Sequence, residues 1–199
     1  MDSDLGYYRH ATIAGNDVVF VCEDDLWKVS ADGGTARRLT ANPGLASFPA
    51  LSPDGESIAF TGRDDGPSEV YVMAAEGDSP RRLTWLGSNT QVVGWARGGS
   101  ILASTDWSQP FSGSMHLVSI SKTGGSPEQL PYGPARAASF AQNSAGLVIG
   151  RNSGDPARWK RYRGGTAGTL WIDRSGTGRF SPLIRLKGNL ASPMWIGPR

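Results

Sequence analysis

Cysteine is nearly absent: Cys22 is the only one in 199 residues. No internal disulfide can form and no thiolate-rich zinc site is available, which fits a reducing cytosol. Charge is also sparse, at 19% of residues against a usual ~25%. The net formal charge of +2 is too small for bulk attraction to nucleic acid or to a membrane. Long apolar runs are missing too. Runs such as Val18 to Cys22 fall far short of the ~20 residues that cross a bilayer. The opening Met1-Asp2-Ser3-Asp4 has neither the basic nor the apolar region of an export signal, so a cytoplasmic, non-inserted protein is expected. His10 and His116 are the only histidines, 106 positions apart in strand-like stretches, and no G-x-S-x-G occurs. A serine, histidine and carboxylate relay needs its members within hydrogen-bond reach. These residues are therefore expected to carry no catalytic group, no metal and no cofactor.

What is abundant is turn chemistry. With 27 Gly and 13 Pro, long helices are disfavoured and a punctuated β-structure is favoured. The punctuation repeats. Phe48 to Leu51 leads into Ser52-Pro53-Asp54-Gly55, where proline sets φ and glycine accepts a positive φ. Ser57 to Thr61 and Glu69 to Met73 then alternate with the strand period of two, and Arg81-Arg82-Leu83-Thr84 closes the unit. Arg37-Arg38-Leu39-Thr40 ends an earlier copy in the same way, and Leu39, Leu83 and Leu130 stand 44 and 47 residues apart. That period suits four antiparallel strands.

Four short strands per repeat predict an all-β fold, a β-propeller with blades at 9–40, 48–84, 91–131 and 138–186. A blade has two faces and cannot bury both alone, so blades stack apolar face on apolar face around a channel. Val19, Trp27, Ile58, Phe60, Val70, Val72, Leu102, Leu117, Ile149 and Trp171 are the expected interface residues. A long antiparallel sandwich is the alternative. Residues 191–199 read as the first strand and turn of a fifth, partial blade. Such a chain is expected to be part of something longer, and in isolation to expose an unpaired edge and self-associate.

Particular stretches carry more than the pattern does. Phe20 to Trp27, Ser104 to Ser112, and above all Gly150-Arg151-Asn152 with Trp159-Lys160-Arg161-Tyr162-Arg163-Gly164-Gly165-Thr166 and onward to Ile172 resemble the tricorn protease family. The likeness spans nearly the whole chain. The SPDG-type blades are shared with TolB-like propellers, while the long RYRGGT insertion is more specific. The resemblance implies a large cytosolic, oligomeric (hexameric) serine peptidase that trims short peptides released by the proteasome. It also implies that this chain is the start of an N-terminal six-bladed propeller, followed elsewhere by a seven-bladed propeller, a PDZ-like domain and the catalytic domains, so that the peptidase's serine and histidine lie beyond Arg199. One departure stands out. An arginine pair that the family places in the loop into the third blade, proposed to anchor the substrate's C-terminus, has no counterpart in Trp85 to Trp95. Arg37-Arg38 and Arg81-Arg82 do not replace it, since they belong to the blade-ending motif on outer strands.

The densest charge is the insertion itself: Arg151, Arg158, Lys160, Arg161 and Arg163 against Asp155 alone, interleaved with Trp159 and Tyr162. Three readings stay open: a solvated loop packed on a neighbouring domain or subunit, a peptide-binding site in which arginine forks take carboxylates, and a single-stranded nucleic-acid contact. Those five residues are the candidate substrate-binding set. Glu23-Asp24-Asp25 and Asp64-Asp65 lack calcium-loop spacing and read as hairpin turns. Gly164 to Thr169 lacks the lysine and the following helix of a phosphate cradle. The leading functional expectation is a non-catalytic scaffold and peptide filter in a tricorn-like peptidase. A TolB-like protein-interaction module is the alternative.

Overall fold

The computed structural model describes residues 6–41, 44–64, 66–141, 144–152, 167–186 and 188–196. Strands form where β-branched and aromatic residues alternate between turn formers, and they assemble four at a time. Blade 1 consists of β1 (Arg9–Ala14), β2 (Asp17–Cys22), β3 (Asp25–Ser30) and β4 (Arg37–Arg38). Blade 2 consists of β5 (Leu45–Leu51), β6 (Ser57–Arg63), β7 (Glu69–Ala74) and β8 (Arg81–Arg82). Blade 3 is β9 (Thr90–Trp95), β10 (Ile101–Thr105), β11 (His116–Ile120) and β12 (Glu128–Pro134), and blade 4 is β13 (Ala137–Phe140), β14 (Leu147–Arg151), β15 (Thr169–Asp173) and β16 (Ser181–Pro182). In each sheet, strands adjacent in sequence are adjacent in space. The propeller expected from the repeats is the fold the chain adopts. The described residues contain no helix, and so none long and apolar enough to cross a membrane.

β5 begins at Leu45, three residues before the sequence pattern suggests, because a bulge carries pairing past Phe48. Its register against β6 slips between Ser47 and Ala50, with Phe48 at φ 47°. β1 repeats the device between Arg9 and Thr12, with His10 at φ 50°. An extra residue in the left-handed region bends a strand and re-aims its side chain. Here it stacks the His10 and Phe48 rings, centroids 3.9 Å apart.

Apolar faces of successive blades close on one another. Val19, Val21 and Leu26 of blade 1 meet Ile58, Phe60, Tyr71 and Met73 of blade 2. The other face of blade 2, Ala59, Val70 and Val72, meets Ile101, Ala103, Val118 and Ile120 of blade 3. Leu117, Leu147 and Ile149, with Trp171 beside them, join blades 3 and 4. Each large side chain so buried contributes about 1.5–3 kcal/mol. Of the expected interface residues, Leu102 is buried beside the channel rather than in one of these clusters, and Trp27 is half-buried on the face of blade 1 turned away from blade 2, paired across the sheet with Phe20.

Polar groups bind the outer strands. In blade 2 the Thr84 hydroxyl accepts from the Val70 amide at 2.9 Å and donates to Glu69 Oε2 at 2.6 Å. Arg82 Nη2 lies 3.4 Å from Oε1 of the same carboxylate. Blade 1 repeats this with Leu26, Thr40, Asp25 and Arg38. Asp25 thus departs from the hairpin reading: Glu23 and Asp24 form an exposed turn at φ 51° and 63°, whereas Asp25 is buried. In blades 3 and 4 the acid and threonine positions hold His116 with Pro131 and Thr169 with Ile184, and the latch cannot form.

Candidate functional site

The innermost strands β1, β5, β9 and β13 line a cavity of about 1030 Å³, which takes in Thr12, Ala50, Trp95, Leu102 and Ser139. It is the channel between the blades. Its wall is tied across blades: the Leu51 amide donates to Thr12 Oγ1 at 3.3 Å, Val92 N to Thr61 Oγ1 at 2.8 Å, and Trp95 Nε1 to the Ala50 carbonyl at 2.9 Å. These bonds satisfy groups that stacking removes from water.

At the opposite end of the inner strands, where the hairpins after β2 and β6 and the links into β9 and β13 gather, lies a second cavity of about 520 Å³. Three arginines reach it, Arg9, Arg63 and Arg136, against one acid, Asp24. Arg9 and Arg63 are held within their own blades, and Arg136, in the link between blades 3 and 4, is held by blade 3. Arg9 pairs with Asp24 at 2.7 Å, Arg63 Nε donates to the Gly66 carbonyl at 3.0 Å, and Arg136 Nη2 donates to the Gly113 carbonyl at 3.0 Å. Those contacts leave guanidinium donors of Arg63 and Arg136 for a further acceptor, since each fork carries five. His10 borders the same space, and burial and then the Arg9 charge hold its pKa below the ordinary histidine value. His10 Nδ1 and Arg9 Nε are buried without a hydrogen-bond partner among the described residues. The mouth is therefore cationic, with a neutral imidazole at its edge, and suits a carboxylate rather than a cation.

Two buried acids fix the loops around this mouth. Glu69 Oε1 accepts from Gly87 N at 2.9 Å. Asp106 accepts from the Asn89 amide at 3.0 Å, from Asn89 Nδ2 at 2.9 Å and from Gly113 N at 2.8 Å. Burial pushes the Asp106 carboxyl up, but these donors outweigh it and the pKa lies below the usual aspartate value. The arginine-free stretch Trp85 to Trp95 is thus pinned at Gly87 and Asn89, on either side of its bend at Ser88.

Of the candidate substrate-binding residues, Arg151 ends β14. Its guanidinium carbon sits 5.1 Å from the centroid of the Trp171 ring, and Nη2 donates to the Tyr132 carbonyl at 3.2 Å. It braces the link between blades 3 and 4. Arg158, Lys160, Arg161 and Arg163 lie outside the described residues. Sequence reasoning missed Arg63 and Arg136 because each stands at a strand end in a different repeat, and only the ring brings them together.

The family model for the tricorn protease N-terminal beta propeller domain matches residues 5–199. Tricorn protease homolog 1 of Streptomyces coelicolor is 40% identical over 196 residues, 97% of this chain and 18% of that protein. A putative Tricorn-like protease N-terminal subunit of Sulfurisphaera tokodaii is 35% identical over 172 residues, 84% of this chain and 86% of its own. The crystal structure of the tricorn protease superposes with a TM-score of 0.86 at 30% identity, over 96% of this chain and 20% of that one. The chain spans less than a fifth of the Streptomyces protein and most of the Sulfurisphaera subunit.

Proposed function

The chain belongs to the tricorn protease N-terminal β-propeller family, and from that membership we propose that it works as the non-catalytic opening section of a cytosolic, hexameric tricorn-like serine peptidase that degrades short peptides. It scaffolds the ring and filters peptides by their carboxylates. The observation that carries the filter is the convergence of Arg9, Arg63 and Arg136 on one mouth of the channel. Arg151, Arg158, Lys160, Arg161 and Arg163 of the basic insertion are proposed as further carboxylate contacts, since arginine forks and a lysine suit that group. No feature of the described residues favours a TolB-like interaction module instead.

Part of a fifth blade follows from the same reading. Residues 191–196 are assigned no strand, yet Trp195 N donates to Ser139 Oγ at 2.7 Å, as Leu51 N does to Thr12 Oγ1 one junction after blade 1. Ser192, three positions before Trp195, has φ 51°, as Phe48 has φ 47° three before Leu51. These two likenesses support reading the segment as part of an innermost strand, which a six-bladed ring accommodates.

The filter is tested by fluorescence anisotropy of labelled tetrapeptides with free or amidated C-termini on the full chain. Free carboxylates bind, amidation weakens them at least tenfold, and Arg63→Gln with Arg136→Gln erases the difference. Charge-assisted hydrogen bonds of ~1.5–3 kcal/mol set that scale. Equal binding of the amidated peptides overturns the reading.

A further inference from the structure

The cationic mouth has a second, uncharged part. Two successive inner strands carry the same distortion at their mouth ends: β1 slips against β2 between Arg9 and Thr12, and β5 slips against β6 between Ser47 and Ala50. An aromatic residue stands at each slip in the left-handed region, His10 at φ 50° and Phe48 at φ 47°. That backbone is strained for a side chain as bulky as phenylalanine, and such strain gathers where a site needs a side chain re-aimed. The other two inner strands do not share the device. β13 pairs without a slip, and β9 slips between Val92 and Gly94, where no ring stands.

Together the slips stack the two rings across the junction of blades 1 and 2, with 27° between their planes, and both residues line the cavity of about 520 Å³. Leu45 and Met115 line it with them. Leu45 is 45% exposed, a large apolar side chain that the fold leaves uncovered here. Burial and the Arg9 charge favour the neutral His10 ring, so the stacked pair adds no charge to this wall. One cavity therefore joins an apolar shelf to the guanidinium groups of Arg63 and Arg136, each held by a single carbonyl and left with unused donors.

We propose that the mouth selects peptides whose C-terminal residue is large and apolar, such as phenylalanine or leucine. Its carboxylate meets Arg63 and Arg136, and its side chain rests on the shelf of His10, Phe48, Leu45 and Met115. Small-ligand sites combine an apolar wall with a few polar groups that fix orientation. The last residue of a peptide carries both complements on one carbon. A bare carboxylate would use the arginines alone. A second carboxylate, on a C-terminal aspartate or glutamate, would lose water against Leu45, Phe48 and Met115 and gain no partner there. The inference rests on the reading of the mouth as a carboxylate filter, and adds which peptides the filter admits.

The test uses labelled tetrapeptides that differ only in their last residue, phenylalanine, leucine, glycine or glutamate, each as free acid and as amide, in anisotropy titrations on the full chain. Free acids ending in phenylalanine or leucine should bind about tenfold tighter than the glycine peptide or better, the scale set by burying such a side chain. The glutamate peptide should bind no tighter than the glycine one. Leu45→Ser, at an exposed position, should cut the preference for phenylalanine over glycine about threefold, and Phe48→Ala should cut it further. The glycine peptide has no side chain to place on the shelf, so its binding reports in each variant that the arginines are still in place. Equal binding of the phenylalanine and glycine acids, tighter binding of glutamate, or a preference untouched by both variants overturns this inference and leaves the carboxylate filter standing. No binding of any peptide, or acids and amides that bind alike, overturns both.

Discussion

The Thr84 hydroxyl donates to Oε2 of Glu69 at 2.6 Å, with the carboxylate only 1% exposed and 15 residues away in sequence. The same carboxylate takes Gly87 N, which starts the loop into blade 3, so one buried acid couples the outer edge of blade 2 to the channel mouth. Thr84→Val keeps the volume and leaves both the Val70 amide and Glu69 one partner short. A buried group left unsatisfied costs about 1–3 kcal/mol, and urea melts of the full chain should show a loss in that range. Glu69→Ala should cost more, about 3–5 kcal/mol, because it strands the Arg82 charge beside a buried site. The double variant should fall short of the sum of the two. Full additivity would show that the groups do not act together.

Asp106 clamps two loops through four donors, the Ser112 hydroxyl at 3.4 Å among them. Its pKa is depressed in the folded protein, so the unfolded chain takes up the proton first as pH falls. The stabilisation is complete above the ordinary aspartate value of 3.8 and drains away as pH drops through and below it. Asp106→Asn should destabilise the protein at pH 7, and the gap between the two proteins should narrow toward pH 3. A gap independent of pH would remove the carboxylate from the explanation.

His10 works in the opposite direction on the pH scale. Burial and Arg9 lower its pKa from 6.5, so the fold prefers the neutral ring and stability falls as pH drops below 6.5, where the unfolded chain protonates first. His10→Phe preserves the stack on Phe48, and Phe48 itself shows that phenylalanine is accommodated at this bulge. Denaturation midpoints measured from pH 7.5 to 5 should slope for the natural protein and flatten for the variant. Equal slopes would assign the effect to another group.

The blades were legible because their signals are local. Pro53-Asp54-Gly55, the alternation of Ser57 to Thr61 and the repeated Arg-Arg-Leu-Thr each act within a few residues, and strands formed where they pointed. Arg37-Arg38 and Arg81-Arg82 do lie on outer strands. The bulge at Phe48 was not legible, since nothing in Ser47-Phe48-Pro49 distinguishes a left-handed residue from an extended one. Neither was the role of Asp25, which reads as one more acid in a polar turn until Thr40 folds back on it. The channel mouth depends on Arg9, Arg63 and Arg136 from three blades. Only closure of the inner strands around one axis creates it, and no short-range pattern encodes that.

The central claim is that these blades are one section of a peptidase ring. Native mass spectrometry of the protein isolated from its own cells tests it most directly. The account predicts that this sequence travels in an assembly far above 21.1 kDa that contains further propeller blades and serine-peptidase sequence. A stable, self-contained 21.1 kDa monomer with no such companions would contradict it.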